Sequence, residues 1–150
     1  MKKKTLLTAI VSGFVLLGCA YPWPSVTSAQ VCNGQHCEVA VSATRHDTPG
    51  FRCFVEKAVP DELIVNHPRP VIVDWYLDSA SANNGYQFPD LPSYQGIVFN
   101  DPTGWDCSVQ PQGKRVQCKN NAAPGPHKYT VNVLRGSIRC DPLDPSVVNN

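Results

Sequence analysis

The chain has 150 residues, with 13 basic and 12 acidic side chains and a formal net charge of +1 at pH 7. This balance offers no positively charged surface for nucleic acid and no strong attraction to an anionic membrane surface, so neither is an expected partner. A chain of this length buries roughly two thirds of its surface, which is enough for one hydrophobic core, and a single domain is expected.

Residues 1–18 have the layout of a secretory signal. Three consecutive lysines, residues 2–4, precede a mainly apolar run over residues 6–17, and segments of this kind direct export and are then removed. The run is shorter than the roughly 20 apolar residues that a membrane-spanning helix needs. Removing 18 of the 150 residues, including the three lysines, leaves 132 residues with 10 basic and 12 acidic side chains, which is close to neutral.

The apolar run closes on Leu16-Leu17-Gly18-Cys19. This tetrapeptide resembles the bacterial lipobox, in which a small residue precedes a cysteine that is lipidated and becomes the mature N-terminus. The resemblance implies a lipoprotein signal peptide over residues 1–18 and a membrane anchor of palmitate and related acyl chains on Cys19, since two or more chains hold a protein stably. Ala20, and not aspartate, follows the cysteine. The resemblance therefore also implies that the protein is located at the outer membrane, with the domain facing the periplasm or the cell surface. The alternative is an ordinary secretory signal cleaved after Ala29.

A flexible tether is predicted to follow the lipidated cysteine. Residues 19–30 include Pro22, Pro24 and several small polar residues, but too few regularly spaced apolar positions to pack against a core. Prolines at this density disfavour a helix, and such a segment serves as a spacer between membrane and domain. The folded part is therefore predicted to be one domain over residues 31–150.

Six cysteines remain once Cys19 is assigned to lipid, and an even number in an oxidising compartment indicates three disulfides. Six cysteines allow fifteen pairings. Two are symmetric about residues 110–113, Gln-Pro-Gln-Gly, which are predicted to form a type I turn. Two others close a small loop around Asn33 and Gly34, and the last pair follows by elimination. The predicted disulfides are Cys107–Cys118, Cys32–Cys37 and Cys53–Cys140.

Strand patterns dominate the rest of the chain. No window has apolar residues at helical spacing over three turns, while several show strand alternation or short β-branched and aromatic runs. The clearest run covers residues 71–77 and predicts a central strand with Trp75 in the core. The predicted strands cover residues 37–43, 51–57, 62–66, 70–78, 95–100, 105–109, 115–119 and 128–135. The predicted fold class is all-β, an antiparallel sandwich of about seven or eight strands.

The order of the core residues is similar to that of immunoglobulin-like domains. A strand with Cys53 is followed by a strand with Trp75 and, later, by the pattern Tyr129-x-Val131-x-Val133. The resemblance is architectural, and it implies an immunoglobulin-like β-sandwich stapled by disulfides.

Catalytic and metal-binding patterns are weak in this sequence. The four histidines are scattered and are predicted to be exposed loop residues: His36, His46, His67 and His127. A copper site of the kind found in small exported sandwiches is the alternative, but six cysteines with even partners leave no free thiolate for it. Asp74 and Asp78 lie four apart on one strand face, where a solvated surface is favoured over calcium binding or acid–base chemistry. No catalytic residue, metal ligand or cofactor is predicted, and the chain is not expected to be an enzyme.

Residues 79–94 form the most distinctive segment, because they are long for a loop in a compact domain and long ordered loops are often functional. The segment carries four residues predicted to contact a partner: Tyr86, Phe88, Leu91 and Tyr94. Exposed aromatic side chains are good contact groups for proteins and sugars. The alternative is that Tyr86 and Phe88 form a short strand and fill the edge of the core.

The sequence predicts a membrane-anchored envelope lipoprotein that acts as a non-catalytic protein-binding module, as an assembly accessory or an inhibitor. The predicted partners are the membrane, through the lipid, and an envelope protein. The second hypothesis is binding of carbohydrate or peptidoglycan through Tyr86, Phe88 and Tyr94. The third is a metal-binding or hydrolytic protein.

Overall fold

The computed structural model describes residues 28–46 and 52–150. The predicted export signal, Cys19 and most of the predicted tether lie outside these residues, as does the start of the strand predicted over residues 51–57. Within the described residues, no helix is long and apolar enough to cross a membrane.

The described residues form mainly β-strands, which confirms the β-rich composition of the prediction. One short helix, α1, covers Ser79–Asn83. The strands are β1 (Ala29–Cys32), β2 (His36–Arg45), β3 (Cys53–Val59), β4 (Glu62–Val65), β5 (Val71–Leu77), β6 (Tyr86–Gln87), β7 (Asp90–Leu91), β8 (Tyr94–Gln95), β9 (Ile97–Phe99), β10 (Trp105–Val109), β11 (Arg115–Asn120), β12 (Gly125–Val131), β13 (Leu134–Arg135), β14 (Ile138–Arg139) and β15 (Ser146–Asn149).

Ten of these strands form two five-stranded sheets. The first sheet has the order β1-β4-β15-β12-β9, and the second has the order β10-β11-β5-β2-β3. The sheets are mixed, because β4 is parallel to both of its neighbours and β2 is parallel to β5. The prediction of a purely antiparallel arrangement is therefore wrong. The chain leaves the second sheet after β3, forms β4 in the first sheet, and returns as β5 beside β2 in the same direction.

The hydrophobic core lies between the two sheets. Along β5, Val71, Val73, Trp75 and Leu77 alternate onto the inner face, and each is buried. The Trp75 ring packs edge-on against two rings of the first sheet, with centroid distances of 5.3 Å to Tyr129 and 6.0 Å to Phe99. The predictions of a central strand and of Trp75 in the core are confirmed.

Strand structure in the described residues includes positions predicted to lie in the tether and strands that the pattern did not indicate. β1 starts at Ala29, so residues 29 and 30 belong to a strand paired with β4 and not to the tether. The single strand predicted over residues 128–135 is split into β12 and β13. β15, near the C-terminus, lies in the middle of the first sheet between β4 and β12.

All three predicted disulfides are confirmed. Cys107 and Cys118 lie directly opposite each other on β10 and β11. The Cys53–Cys140 bridge spans 87 positions of the sequence, and closing a loop of that length stabilises a fold by about 4–5 kcal/mol in the chain-entropy estimate.

The turn between β10 and β11 differs from the predicted type I turn. Gln112, its third residue, has a φ of 72° and a ψ of −2°, whereas a type I turn has a φ of about −90° at this position. These angles match the third residue of a type II turn, which glycine normally occupies. A glycine at the third position would have indicated a type II turn, but glutamine stands there and the glycine comes one position later. That residue, Gly113, also has a positive φ, of 67°.

Two buried asparagines link the sheets at one end. Asn120 of β11 donates to Asn149 Oδ1 at 2.8 Å, and Asn149 of β15 donates back to Asn120 Oδ1 at 3.2 Å. Both side chains are almost fully buried. Each amide therefore supplies the other with a hydrogen bond that water does not reach this buried position to supply.

Replacing Asn149 with alanine is expected to lower the free energy of unfolding by about 1–3 kcal/mol, because it leaves the buried Nδ2 donor of Asn120 without its acceptor. Urea denaturation followed by circular dichroism measures this change. The matched control is Asn66→Ala at an exposed position, where a change within about 0.5 kcal/mol is expected. Equal effects of the two substitutions would contradict the buried amide pair.

Candidate functional site

The segment over residues 79–94 is held firmly at its start. Asp78 caps α1, accepting a hydrogen bond from the Ser81 N–H at 2.8 Å, and it accepts another from the Ser42 hydroxyl at 2.5 Å. The Ser81 hydroxyl is buried against β2, where it accepts from the Ala43 N–H at 2.8 Å. The start of the segment is therefore tied to β2 through side-chain hydrogen bonds.

Two of the four predicted contact residues are part of the core. Tyr86 and Phe88 are 2% and 3% exposed, and Tyr86 lies in the short strand β6, which pairs with β13. The Phe88 N–H donates to the Gly113 carbonyl at 2.7 Å. These two residues fill the core edge, as the alternative interpretation held, so their expected role as exposed contacts is wrong. The polar residues and prolines around them indicated a surface loop, but the two rings are buried in the core instead.

The other two predicted contact residues are at the surface. Leu91 and Tyr94 face each other across the β7–β8 hairpin, where Leu91 is 49% exposed and Tyr94 is half-buried. The Arg139 guanidinium lies 4.3 Å from the centre of the Tyr94 ring. Burial raises the pKa of the Tyr94 phenol, and the charge of Arg139 offsets part of this rise. The phenol is therefore neutral at physiological pH, with a cation stacked on its ring.

A second hairpin completes this surface. Arg139 of β14 is directly opposite Leu134 of β13, so their side chains share one face. Leu134 and Leu91 both line a groove of about 470 Å³ beside the turn over residues 110–113. We call the four residues Leu91, Tyr94, Leu134 and Arg139 the hairpin surface.

Of the four residues of the hairpin surface, Leu91 and Tyr94 were predicted from the sequence, and Leu134 and Arg139 were not. Leu134 and Arg139 lie 40 or more positions after Tyr94 in the sequence, and nothing local connects the two segments. One signal was present, because Gly136-Ser137 between two short runs is typical of a two-residue hairpin turn. Gly136 has the positive φ, 61°, that such a turn requires.

Catalytic groups do not converge at the hairpin surface. Within residues 28–46 and 52–150, no group of three or more His, Cys, Asp or Glu side chains is arranged to hold a metal ion. His36 and His127 lie in strands β2 and β12, and not in loops as predicted. His67 and His127 each contact a backbone carbonyl at 2.8 Å. That the chain is not an enzyme stays a prediction.

Asp74 and Asp78 do not form the solvated pair that the sequence predicted. Asp78 is committed to the helix cap, while the Asp74 side chain is 5% exposed and forms an ion pair with Arg115, with 3.6 Å between Nη1 and Oδ2. Asp74 is buried because neighbouring strands place polar side chains over it. The sequence of its own strand does not show these neighbours.

Asp78 is expected to make stability depend on pH. Burial raises its pKa, but hydrogen bonds from Ser42 and Ser81 and the charge of Lys57 outweigh burial, so the pKa lies below its usual value. Ionised Asp78 therefore stabilises the fold above the unfolded-state value of about 4, and this stabilisation is lost as the pH falls through the lower folded-state pKa. Asp78→Asn should lower the free energy of unfolding at pH 7 and weaken its dependence on pH below about 4.

The same substitution series separates charge from capping. Asp78→Ala removes both, and is expected to cost about 0.5–2 kcal/mol at pH 7. Denaturant melts at a series of pH values measure these effects, with Asp90→Asn on the exposed strand β7 as the control. Identical pH profiles for the wild type and Asp78→Asn would refute the assignment.

No protein-family model matches this sequence, and no curated protein matches it. The function is therefore inferred from the geometry and chemistry of the chain's own residues.

Proposed function

We propose that this chain is an envelope lipoprotein, anchored by lipid on Cys19 to the outer membrane, whose folded domain binds another envelope protein and performs no catalysis. The observation that carries the binding role is the exposed stack of Arg139 on Tyr94, flanked by the half-exposed Leu91. A protein partner would contact this hairpin surface.

The chemistry of the hairpin surface supports a protein partner. Tyrosine and arginine are the residue types most often found where binding energy concentrates, usually with apolar side chains around them. The stack on Tyr94 restrains the guanidinium before binding, so less side-chain entropy is lost when a partner docks. The two short hairpins also fix the backbone beneath these side chains, because each consists of paired strands.

The two facing sheets, with Trp75 between them, support the further proposal that the domain is an immunoglobulin-like sandwich. Such sandwiches commonly present hairpin ends and loops as contact surfaces. In such a sandwich the parallel pair β2–β5 would be a departure from the antiparallel strand arrangement.

The saccharide hypothesis based on Tyr86, Phe88 and Tyr94 loses two of its three rings to the core. A flat ring must expose a face before a sugar can stack on it. A protein partner is therefore preferred for the hairpin surface.

The binding role is tested by Leu91→Asp and Tyr94→Ala in the full chain, with cross-linking in intact envelopes followed by affinity capture. Both substitutions are expected to reduce recovery of a specific protein by about tenfold or more, since losing one central contact costs about 1–2 kcal/mol. The control is Val59→Asp, which places the same charge at a similarly exposed apolar position, 43% exposed, on β3. If neither substitution reduces capture of the partner, or if the control reduces it equally, the hairpin surface is not the binding site.

The anchor is tested separately by Cys19→Ala. The wild type is expected to incorporate palmitate label and to fractionate with membranes, while the variant loses the label and becomes soluble, because the acyl chains supply the membrane affinity. Membrane association without label in both forms would contradict the lipoprotein assignment.

A further inference from the structure

Asp74 is a buried carboxylate on the outer face of a sheet. Its neighbour Trp75 points into the core, so the Asp74 side chain points the other way, because successive side chains of a strand alternate. A residue on an outer face is normally solvated, yet Asp74 is only 4% exposed. Burying a charge is costly unless it gains partners.

The partners of Asp74 come from the two adjacent strands. Gln117 of β11 lies directly opposite and donates from Nε2 to Asp74 Oδ1 at 3.1 Å. Arg115 Nη1 stands 3.6 Å from Oδ2, which is longer than the roughly 2.7–3.2 Å of an N–H···O hydrogen bond. A carboxylate accepts about four hydrogen bonds, so Asp74 keeps acceptor capacity beyond these two contacts.

Asp74 lies in the wall of a groove of about 690 Å³. Glu38 of β2 stands beside it in register, and Gln30 and Asn33 contribute amides to the lining of the groove. The Cys32–Cys37 disulfide closes the turn that carries Asn33, so this part of the lining is covalently restrained. The volume is in the range of about 300–1,000 Å³ that is usual for small-molecule sites.

The side chains of this groove, which we call the Asp74 groove, fit a neutral ligand with many hydroxyl groups. Glu38 and Asp74 only accept hydrogen bonds when ionised, Arg115 only donates, and the three amides do both. Asp74 and Arg115 form an ion pair, so their charges largely offset each other. A hydroxyl can donate to a carboxylate and accept from the guanidinium, so it uses both kinds of group in the groove. Val31, which also lines the groove and is 47% exposed, offers an apolar contact for C–H groups.

We propose that the Asp74 groove binds a neutral oligosaccharide, with Asp74 and Glu38 accepting from its hydroxyl groups and Arg115 donating to them. This site shares no residue with the hairpin surface, so one can fail while the other stands. The saccharide could be free in solution or part of the glycan strands of the cell wall, and the chemistry is the same in both cases.

The test uses the full chain in mild detergent and titrates it by calorimetry with an N-acetylglucosamine tetramer, a glucose tetramer and, as a cationic probe, tetralysine. At least one of the two saccharides is expected to bind with a dissociation constant of about 1 mM or tighter. Asp74→Asn should weaken that binding by about tenfold, the equivalent of one good hydrogen bond. Tyr94→Ala, on the hairpin surface, should leave it unchanged.

Two further variants keep the test valid if Asp74→Asn fails to fold. Glu38→Gln and Gln30→Ala change exposed side chains of the groove, and each should weaken saccharide binding in a folded protein. The proposal is overturned if neither tetramer binds at concentrations up to about 10 mM. It is also overturned if no folded groove variant weakens saccharide binding, or if tetralysine binds more tightly than both saccharides.

Sedimentation with purified cell-wall sacculi separates the two sources of saccharide. Cosedimentation that the free tetramer competes away and Glu38→Gln weakens assigns the groove to the cell wall. Binding of the tetramer without cosedimentation assigns it to a soluble saccharide, and both results support the proposal.

Discussion

The packing of Trp75 between the two sheets is the contact on which the rest of the structure depends. Its ring is fully buried and lies edge-on to Tyr129, Phe99 and Trp105, which come from both sheets. Removing an aromatic side chain from such a position costs about 3–5 kcal/mol, a large part of the stability of a domain this size. Because Asp74 is the preceding residue on the same strand, the inner contact also fixes where the outer groove can form.

Local sequence patterns predicted a residue's position correctly where that position depends on its own strand or on the adjoining turn. Alternation placed Trp75 on the inner face, and the symmetry of Cys107 and Cys118 about a turn identified opposing positions on two strands. The parallel pairing of β2 with β5 was beyond such patterns. Alternation shows which side chains share a face but not the direction of the neighbouring strand.

The candidate sites were harder to predict because each is assembled from distant segments. Leu91 and Tyr94 were recognisable as aromatic and apolar residues in a long connection, but Arg139 reaches Tyr94 only through the β13–β14 hairpin. Burial of Tyr86 and Phe88 likewise depends on strands outside their own segment. Asp74 looked like an ordinary solvated position, since Gln117 and Arg115 approach it only once β11 is paired with β5.

The position of the Cys32–Cys37 bridge matters for how the domain carries mechanical load. A pull on the N-terminal end of the domain acts first on β1, which lies at the edge of the first sheet and is paired on one side with β4. If that strand peels away, the pull passes at Cys32 through a covalent bond to Cys37 on β2, well inside the second sheet. The disulfide therefore limits unfolding under load to the four residues of β1. The force is then borne by β2, which is hydrogen-bonded to a neighbouring strand on each side.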